Sequence, residues 1–171
     1  MSRTTVRILM AVVLVVVLAT AVQGCQFVAQ KAIESATGVK VDQSGKGVTI
    51  TGKNGATAEI GTNKVPDGWP TDIPVYAGTV TLGNKLDQNG KSAFMVTVET
   101  PDAPKTVADF YAEKLVAAGW KQTTRNDGSA NGNDMSIIIF EKGDQRAAVS
   151  ATSNASNGKT VVSINVVDKT Q

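Results

Sequence analysis

A long apolar run near the N-terminus constrains this chain more than any other stretch. Ile8 to Val22 is apolar except for Thr20, and Arg3 and Arg7 precede it with no acidic residue nearby. The run is shorter than the roughly 20 apolar residues of a spanning helix, whereas a basic segment followed by such a run is typical of an export signal. We therefore expect residues 1–24 to be removed and only the remaining 147 of the 171 residues to fold.

The run ends in Val22-Gln23-Gly24-Cys25, which resembles the lipobox of bacterial lipoproteins. The resemblance implies signal cleavage between Gly24 and Cys25, a diacylglyceryl group on the Cys25 thiol, and acylation of the new amino terminus by a chain such as palmitate. Two or more acyl chains hold a protein on a membrane, whereas one binds reversibly. The membrane, reached through the lipid on Cys25, is thus the first predicted partner. The alternative is an uncleaved signal-anchor helix with Cys25 near the membrane edge.

The predicted mature chain is formally neutral, since removing Arg3 and Arg7 leaves 15 basic residues against 15 acidic ones. A protein without a basic stripe is a poor match for nucleic acid. The chain has no histidine, and its single cysteine is assigned to the lipid. Disulfides, Ser-His-Asp or Cys-His catalysis and histidine-bound metals are therefore excluded, and we expect no cofactor.

Two short segments precede the main domain. Residues 25–38 are predicted to form the lipidated tether with a short helix ending at Gly38, and a partly ordered tether is the alternative. Residues 39–60 alternate apolar and polar side chains and contain Asn54-Gly55, which predicts a small β-meander.

Residues 61–74 are predicted to be a connector rich in proline. Prolines recur every fourth residue there, and each one favours extended backbone. Trp69 and Ile73 are apolar enough to dock on the following domain. The alternative is a polyproline ligand for another protein.

Residues 75–171 carry the pattern of an α+β domain. Strands are predicted on both sides of Asn89-Gly90, a helix follows Pro104 and ends at Gly119, and four strands come after Trp120. The predicted fold is an antiparallel sheet, β-β-α-β-β-β-β, with one main helix across a face and the small β-meander before it. One helix covers one face, so the other face is open or is covered by the connector and the meander.

Two motifs in this region are similar to those of small uncharacterised envelope lipoproteins of bacteria. They are the segment Pro70-Thr71-Asp72-Ile73-Pro74-Val75-Tyr76 and the helix containing Phe110-Tyr111, Leu115 and Ala118-Gly119-Trp120. The resemblance spans most of residues 39–142. It implies this fold and an envelope location, and it implies no activity.

Oxygen-bearing side chains gather in the predicted loop 126–134. Asp127, Ser129 and Asn131 alternate as in the first half of a calcium-binding EF-hand loop, but Ile138 stands where the bidentate glutamate is needed. We expect no metal, with this loop as the one weak candidate and a flexible polar hairpin loop as the simpler interpretation.

The sequence favours a lipid-anchored, non-catalytic envelope protein that binds or scaffolds another envelope component, or a small ligand, on the uncovered sheet face. The predicted location is the cell membrane or the outer membrane, with the domain facing the periplasm or the exterior, and because Gln26 is not an inner-membrane retention signal the outer membrane is preferred in a host that has one. One alternative is a hydrolase using Asp/Glu acid-base chemistry, with Asp67 and Asp72 beside Trp69 as the pair to examine. The other is a purely structural envelope protein.

Overall fold

The computed structural model describes residues 40–42, 47–52 and 55–168. The predicted signal segment 1–24, the tether 25–38 and the cleavage and lipid sites at Gly24 and Cys25 lie outside these ranges. Within them, none of the helical structure is both long and apolar enough to cross a bilayer. The elements in chain order are β1 (Lys40–Asp42), β2 (Val48–Thr51), β3 (Thr57–Thr62), β4 (Thr79–Gln88), β5 (Lys91–Thr100), α1 (Pro104–Ala117), β6 (Lys121–Ala130), β7 (Asn133–Lys142), β8 (Gln145–Asn154) and β9 (Lys159–Asp168).

All of these strands form one antiparallel sheet, in the order β1-β2-β3-β4-β5-β9-β8-β7-β6. Helix α1 carries the chain from β5 to the far edge of the sheet, and β7, β8 and β9 return strand by strand until β9 pairs with β5. The α+β class with a helix across an antiparallel sheet is confirmed. The predicted β-β-α-β-β-β-β pattern lists the elements in the order of the chain. The order of the strands within the sheet is different. Because β3 pairs with β4, the expected meander extends the same sheet.

Asn-Gly dipeptides close two of the hairpins that have a two-residue turn. Asn89 and Gly90 have φ of 52° and 76° between β4 and β5, and Asn131 and Gly132 have φ of 53° and 77° between β6 and β7. Left-handed backbone at both central residues matches the twist of the flanking strands, and Asn-Gly accepts it most readily. The expected loop 126–134 is therefore wrong, since strand pairing continues up to the two-residue turn.

Helix α1 begins with a proline and ends in a glycine cap. Pro104 occupies the first turn, where its missing N–H would have no intrahelical acceptor. At the other end the Trp120 and Gly119 N–H groups donate to the Leu115 and Val116 carbonyls at 2.9 and 3.0 Å, a Schellman arrangement. The cap turns the chain directly into β6.

One face of the sheet, here called the covered face, carries the core. Helix α1 packs over β6 to β9, and the connector packs over β5, where the Trp69 and Phe94 rings meet edge to face at 6.0 Å. The predicted docking of the connector is therefore intramolecular. The buried apolar side chains are Ile73, Tyr76, Val96, Val98, Val107, Ala108, Tyr111, Leu115, Trp120, Ile138, Phe140, Ala147, Val149, Ala151, Val162, Ile164 and Val166.

Candidate functional site

The opposite face of the sheet, here called the open face, has no described element packed over it. The connector and α1 both lie on the covered face, and β1 to β3 lie within the sheet. Strand β7 illustrates the consequence, because Ile138 and Phe140 are buried on the covered face while Ile137 and Ile139 are half-buried on the open one. The open face is therefore the part of the sheet that is accessible to a binding partner.

An apolar row crosses five strands of the open face. Register pairs Ile50 with Ala58, Ala58 with Leu86, Leu86 with Ala93 and Ala93 with Val167. Directly paired residues lie on the same face, so these five side chains form one line, here called the apolar row. Four strand spacings of about 4.8 Å give the row a length of about 19 Å.

The apolar row includes some of the most exposed large hydrophobic side chains described. Leu86 is 47% exposed and Val167 is 39% exposed, and Ile60, beside the row on β3, is 44% exposed. Antiparallel sheets that face water normally alternate apolar residues on the core side with polar residues outside. The apolar row departs from this rule.

The row continues into charged residues on the second half of the sheet. Val167 pairs with Arg146, Arg146 pairs with Glu141, and Glu141 pairs with Lys121. Arg146 is exposed. One line across the open face is therefore apolar over β2, β3, β4, β5 and β9, and it is charged over the next three strands, β8, β7 and β6.

Small polar side chains occupy the centre of the open face. Thr97 on β5 pairs with Ser163 on β9, and Ser163 pairs with Ser150 on β8. The Asn165 side-chain amide donates to the Ser163 hydroxyl at 3.3 Å, and all four side chains are half-buried. This cluster offers hydroxyl and amide groups next to the apolar row.

On the covered face the polar groups are already satisfied. The Tyr76 N–H donates to the Tyr111 hydroxyl, and that hydroxyl donates to the Pro74 carbonyl, both at 3.1 Å. The Tyr76 hydroxyl donates to Asp102 at 2.8 Å. Among the described residues, no buried side-chain nitrogen or oxygen lacks a hydrogen-bond partner. These groups hold the connector in place, and none is left aimed at a ligand.

Asp72 and Asp67, the acids considered for hydrolysis, lie in different surroundings. Asp72 accepts hydrogen bonds from Trp120 Nε1 at 3.0 Å and from Lys142 Nζ at 2.7 Å, while Asp67 is exposed. Partial burial raises the pKa of Asp72, but the Lys142 and Trp120 hydrogen bonds and the Lys142 charge outweigh it and hold the pKa below its ordinary value. A general acid needs the opposite shift.

The weak calcium candidate lies on the β6–β7 hairpin. Asp127 and Ser129 are two residues apart on β6, about 7 Å along the strand, and Asn131 lies in the turn. The Asp127 carboxylate already contacts Arg125 Nε at 2.9 Å. Groups of three or more acidic, cysteine or histidine side chains suited to a metal are absent from the residues described. Calcium binding by Asp127, Ser129 and Asn131 stays an untested hypothesis.

Sequence reasoning pointed to the uncovered face but proposed none of its residues as a binding site. The sequence feature that could have identified them is a second set of apolar residues, on the side of each strand that faces away from the core. Examples are Leu86 on β4, Ala93 on β5 and Val167 on β9. Their alignment into one row depends on the β5–β9 pairing, which joins strands far apart in sequence. Periodicity alone does not give that pairing.

A family model for START domain-like proteins matches residues 80–169, just over half of the chain. The matched region contains β5 to β9 with α1 and nearly all of β4. The chain belongs to the START domain-like family. No curated protein and no solved structure matches it.

START domain-like domains are typically ligand-binding. The START domain-like match begins at the second residue of β4, so the meander strands and the connector lie outside it. Within the matched region, the space between α1 and the sheet is occupied by fully buried side chains, including Tyr111, Leu115 and Phe140. The apolar row therefore stands out as the exposed surface available to a ligand.

Proposed function

We propose that this protein is a lipid-anchored, non-catalytic component of the cell envelope whose START domain-like domain binds a ligand on the open face. The ligand is a small amphipathic molecule or an apolar surface of another envelope component. The exposed apolar row carries this proposal. Contiguous exposed apolar surface in a soluble domain marks an interaction site, whereas scattered single hydrophobic residues do not.

The chemistry of the open face sets the kind of ligand. The apolar row of about 19 Å accommodates an extended hydrocarbon group. The hydroxyl and amide cluster of Thr97, Ser150, Ser163 and Asn165 provides hydrogen bonds beside it. A ligand with one apolar edge and one polar edge fits both features, and a purely ionic ligand fits neither.

The proposed anchor rests on Val22-Gln23-Gly24-Cys25. Expression of Cys25→Ser in a bacterial host tests it by membrane fractionation and mass spectrometry. We expect the wild-type protein in the membrane with an acylated amino-terminal cysteine, and the variant as unprocessed precursor or in the soluble fraction. Unchanged size and membrane attachment of the variant would contradict the anchor.

Ligand binding is tested by mass spectrometry of small molecules that co-purify with the detergent-solubilised full chain. Leu86→Lys places a charge in the apolar row, and we expect it to remove the co-purified molecule. Val116→Lys is the matched control, because Val116 is 53% exposed but lies on α1. Equal loss or equal retention in the two variants would contradict binding on the open face.

A further inference from the structure

The outer edge of β6 is a second interaction surface. β6 is the last strand of the sheet beyond β7, and all of its residues are exposed except the half-buried Arg125. Natural edge strands are usually protected by charged side chains, above all lysine, by proline or by a bulge. β6 has Lys121 and a bulge after Gln122, but residues 124–130 contain neither proline nor lysine and keep regular register with β7.

The hairpin geometry determines which backbone groups face the free edge. A two-residue turn makes Ala130 and Asn133 a hydrogen-bonded pair, and pairs then alternate along the ladder. Residues 128, 126 and 124 therefore direct their N–H and C=O groups at β7. The backbone groups of Arg125, Asp127 and Ser129 are directed outward.

A hydrogen bond on the next strand supports this assignment. Asp134 lies opposite Ser129, and its N–H donates to Ser153 Oγ on β8 at 2.7 Å, while its carbonyl accepts from the same hydroxyl at 3.3 Å. Both backbone groups of Asp134 thus face away from β6. Ser129 is therefore in a non-hydrogen-bonded pair with Asp134, and its backbone N–H and C=O groups point to the free edge.

We propose that two copies of this chain associate through β6, antiparallel, about a two-fold axis at Asn126. Charge selects this register, because Arg125 of each copy then lies opposite Asp127 of the other. Opposite charges in directly paired positions are stabilising. Moving the axis to residue 127 would place two Asp127 carboxylates opposite each other, which is destabilising.

The local contacts of these charges leave room for the second copy. Arg125 uses Nη2 for Asp109 at 2.7 Å and Nε for Asp127 at 2.9 Å. A guanidinium has five N–H donors, so others remain. Helix α1 packs chiefly over β7 and β8, which puts the two helices about 19 Å apart, beyond the 8–10 Å of helices in contact.

A single cysteine on the axis tests the register. The full chain with Cys25→Ser has no thiol, and Asn126→Cys adds one at the proposed axis. The two Cα atoms of that pair would be about 4.5 Å apart, within disulfide range. We expect mild oxidation to convert most of the protein to a disulfide dimer on a non-reducing gel.

Gly128→Cys is the matched control for the disulfide. Open space surrounds a Cβ at this position, so the substitution is tolerated. In the proposed dimer the two residues 128 are offset by four positions, about 14 Å along the strand, so no disulfide forms. Equal cross-linking of both variants, or none by Asn126→Cys, would overturn the proposal.

Sedimentation of the full chain in detergent tests the charge pairing separately. Asp127→Lys places a positive charge opposite Arg125 of the second copy. We expect the repulsion to raise the dimer dissociation constant at least tenfold. Asp109→Asn removes the intrachain contact of Arg125 with α1 but leaves Asp127 in place, and it is expected to leave dimerisation unchanged. A monomer at all concentrations, or equal effects of the two variants, would contradict a two-fold dimer through β6.

Discussion

The two faces of the sheet are built from neighbouring residues of the same strands, yet they differ in what covers them. On β9, Val166 is 1% exposed and Val167 is 39% exposed. On β7, Ile138 is buried while Ile139 is half-buried. Successive side chains point to opposite faces of a strand, so position decides the environment of identical residue types.

This difference separates stability from binding. On the covered face, α1 and the connector bury the apolar side chains and satisfy the polar groups around Tyr76 and Tyr111. In the apolar row on the open face, Leu86 and Val167 stay 47% and 39% exposed, so they contribute less to folding than the buried side chains of the covered face. A surface of this kind is available to a ligand, which is the physical basis of the proposed function.

The largest expected contrast is between Ile138→Ala and Ile139→Ala. Ile138 is 1% exposed in the core, and its truncation should lower the free energy of unfolding by about 2–5 kcal/mol. Ile139 is half-buried, and we expect less than about 1.5 kcal/mol for its truncation. Urea unfolding of both variants measures the difference. Similar losses would mean that the open face is a second core, and the binding proposal would lose its basis.

A second contrast compares glycines in a central and an edge strand. A Cβ on Gly83 of β4 would meet the Lys64 carbonyl and the Thr62 side chain, whereas one on Gly128 of β6 would meet no atom within 4 Å. We expect Gly83→Ala to cost about 3 kcal/mol through overpacking and Gly128→Ala to change stability very little. Thermal unfolding measures the stability of both variants. If Gly83→Ala were as stable as the wild type, the backbone around β3 and β4 would have to move easily to make room for the methyl group.

Much of the fold could be predicted from local patterns in the sequence. Pro104 and Gly119 marked the ends of α1, and the apolar spacing of Val107, Tyr111 and Leu115 marked its buried face. The Asn131-Gly132 turn was equally visible, but the polar residues around it led to a loop prediction. Edge strands carry little apolar patterning because neither face is buried, and β6 is such a strand.

The candidate site was less predictable because it depends on long-range pairing. Ala93 and Val167 lie opposite each other although 74 positions separate them in the sequence. The covering of one face also depends on where the connector docks, through Trp69 on Phe94 and Asp72 on Trp120. Each contact joins segments whose partners local composition does not specify.

A third contrast concerns the two tyrosines of the covered face. Tyr111→Phe leaves the Tyr76 N–H and the Pro74 carbonyl without their partner and should cost about 2 kcal/mol. Tyr76→Phe loses a partly exposed contact with Asp102 and should cost about 1 kcal/mol. Chemical unfolding at neutral pH measures both. A larger loss of unfolding free energy for Tyr76→Phe than for Tyr111→Phe would mean that the Tyr76–Asp102 hydrogen bond contributes more to stability than the hydrogen bonds of the Tyr111 hydroxyl.

The same tyrosines predict an alkaline limit to stability. Burial, followed by the hydrogen bond to Asp102 and its charge, raises the pKa of Tyr76 to about 12. Burial also raises the pKa of Tyr111, and the hydrogen bond from the Tyr76 N–H offsets this only in part. Unfolded tyrosines ionise near pH 10, so above that pH the unfolded state binds fewer protons and the free energy of unfolding falls. Tyrosinate absorbance rising near pH 10 without unfolding would contradict this.

The smallest contrast compares an ion pair on each face. On the covered side, Lys142 Nζ binds Asp72 at 2.7 Å and the Ala118 carbonyl at 2.9 Å, so it joins the connector to the end of α1. On the open side, Lys159 binds Glu99 at 3.0 Å and is half exposed. We expect Asp72→Asn to lower the free energy of unfolding by about 1 kcal/mol and Glu99→Gln by less than about 0.5 kcal/mol.

The pH dependence of Asp72→Asn distinguishes an ionic link from packing. Because the folded pKa of Asp72 lies below its ordinary value, its ionic contribution is present above about pH 4 and is lost as the pH falls through the folded pKa. The wild type and Asp72→Asn should therefore differ at pH 7 in urea unfolding and converge as the pH falls through the folded pKa of Asp72. A difference that persists at low pH would mean that Asp72 holds the connector by packing and by the Trp120 hydrogen bond. In that case charge would not distinguish the two faces, and their difference would be one of apolar coverage alone.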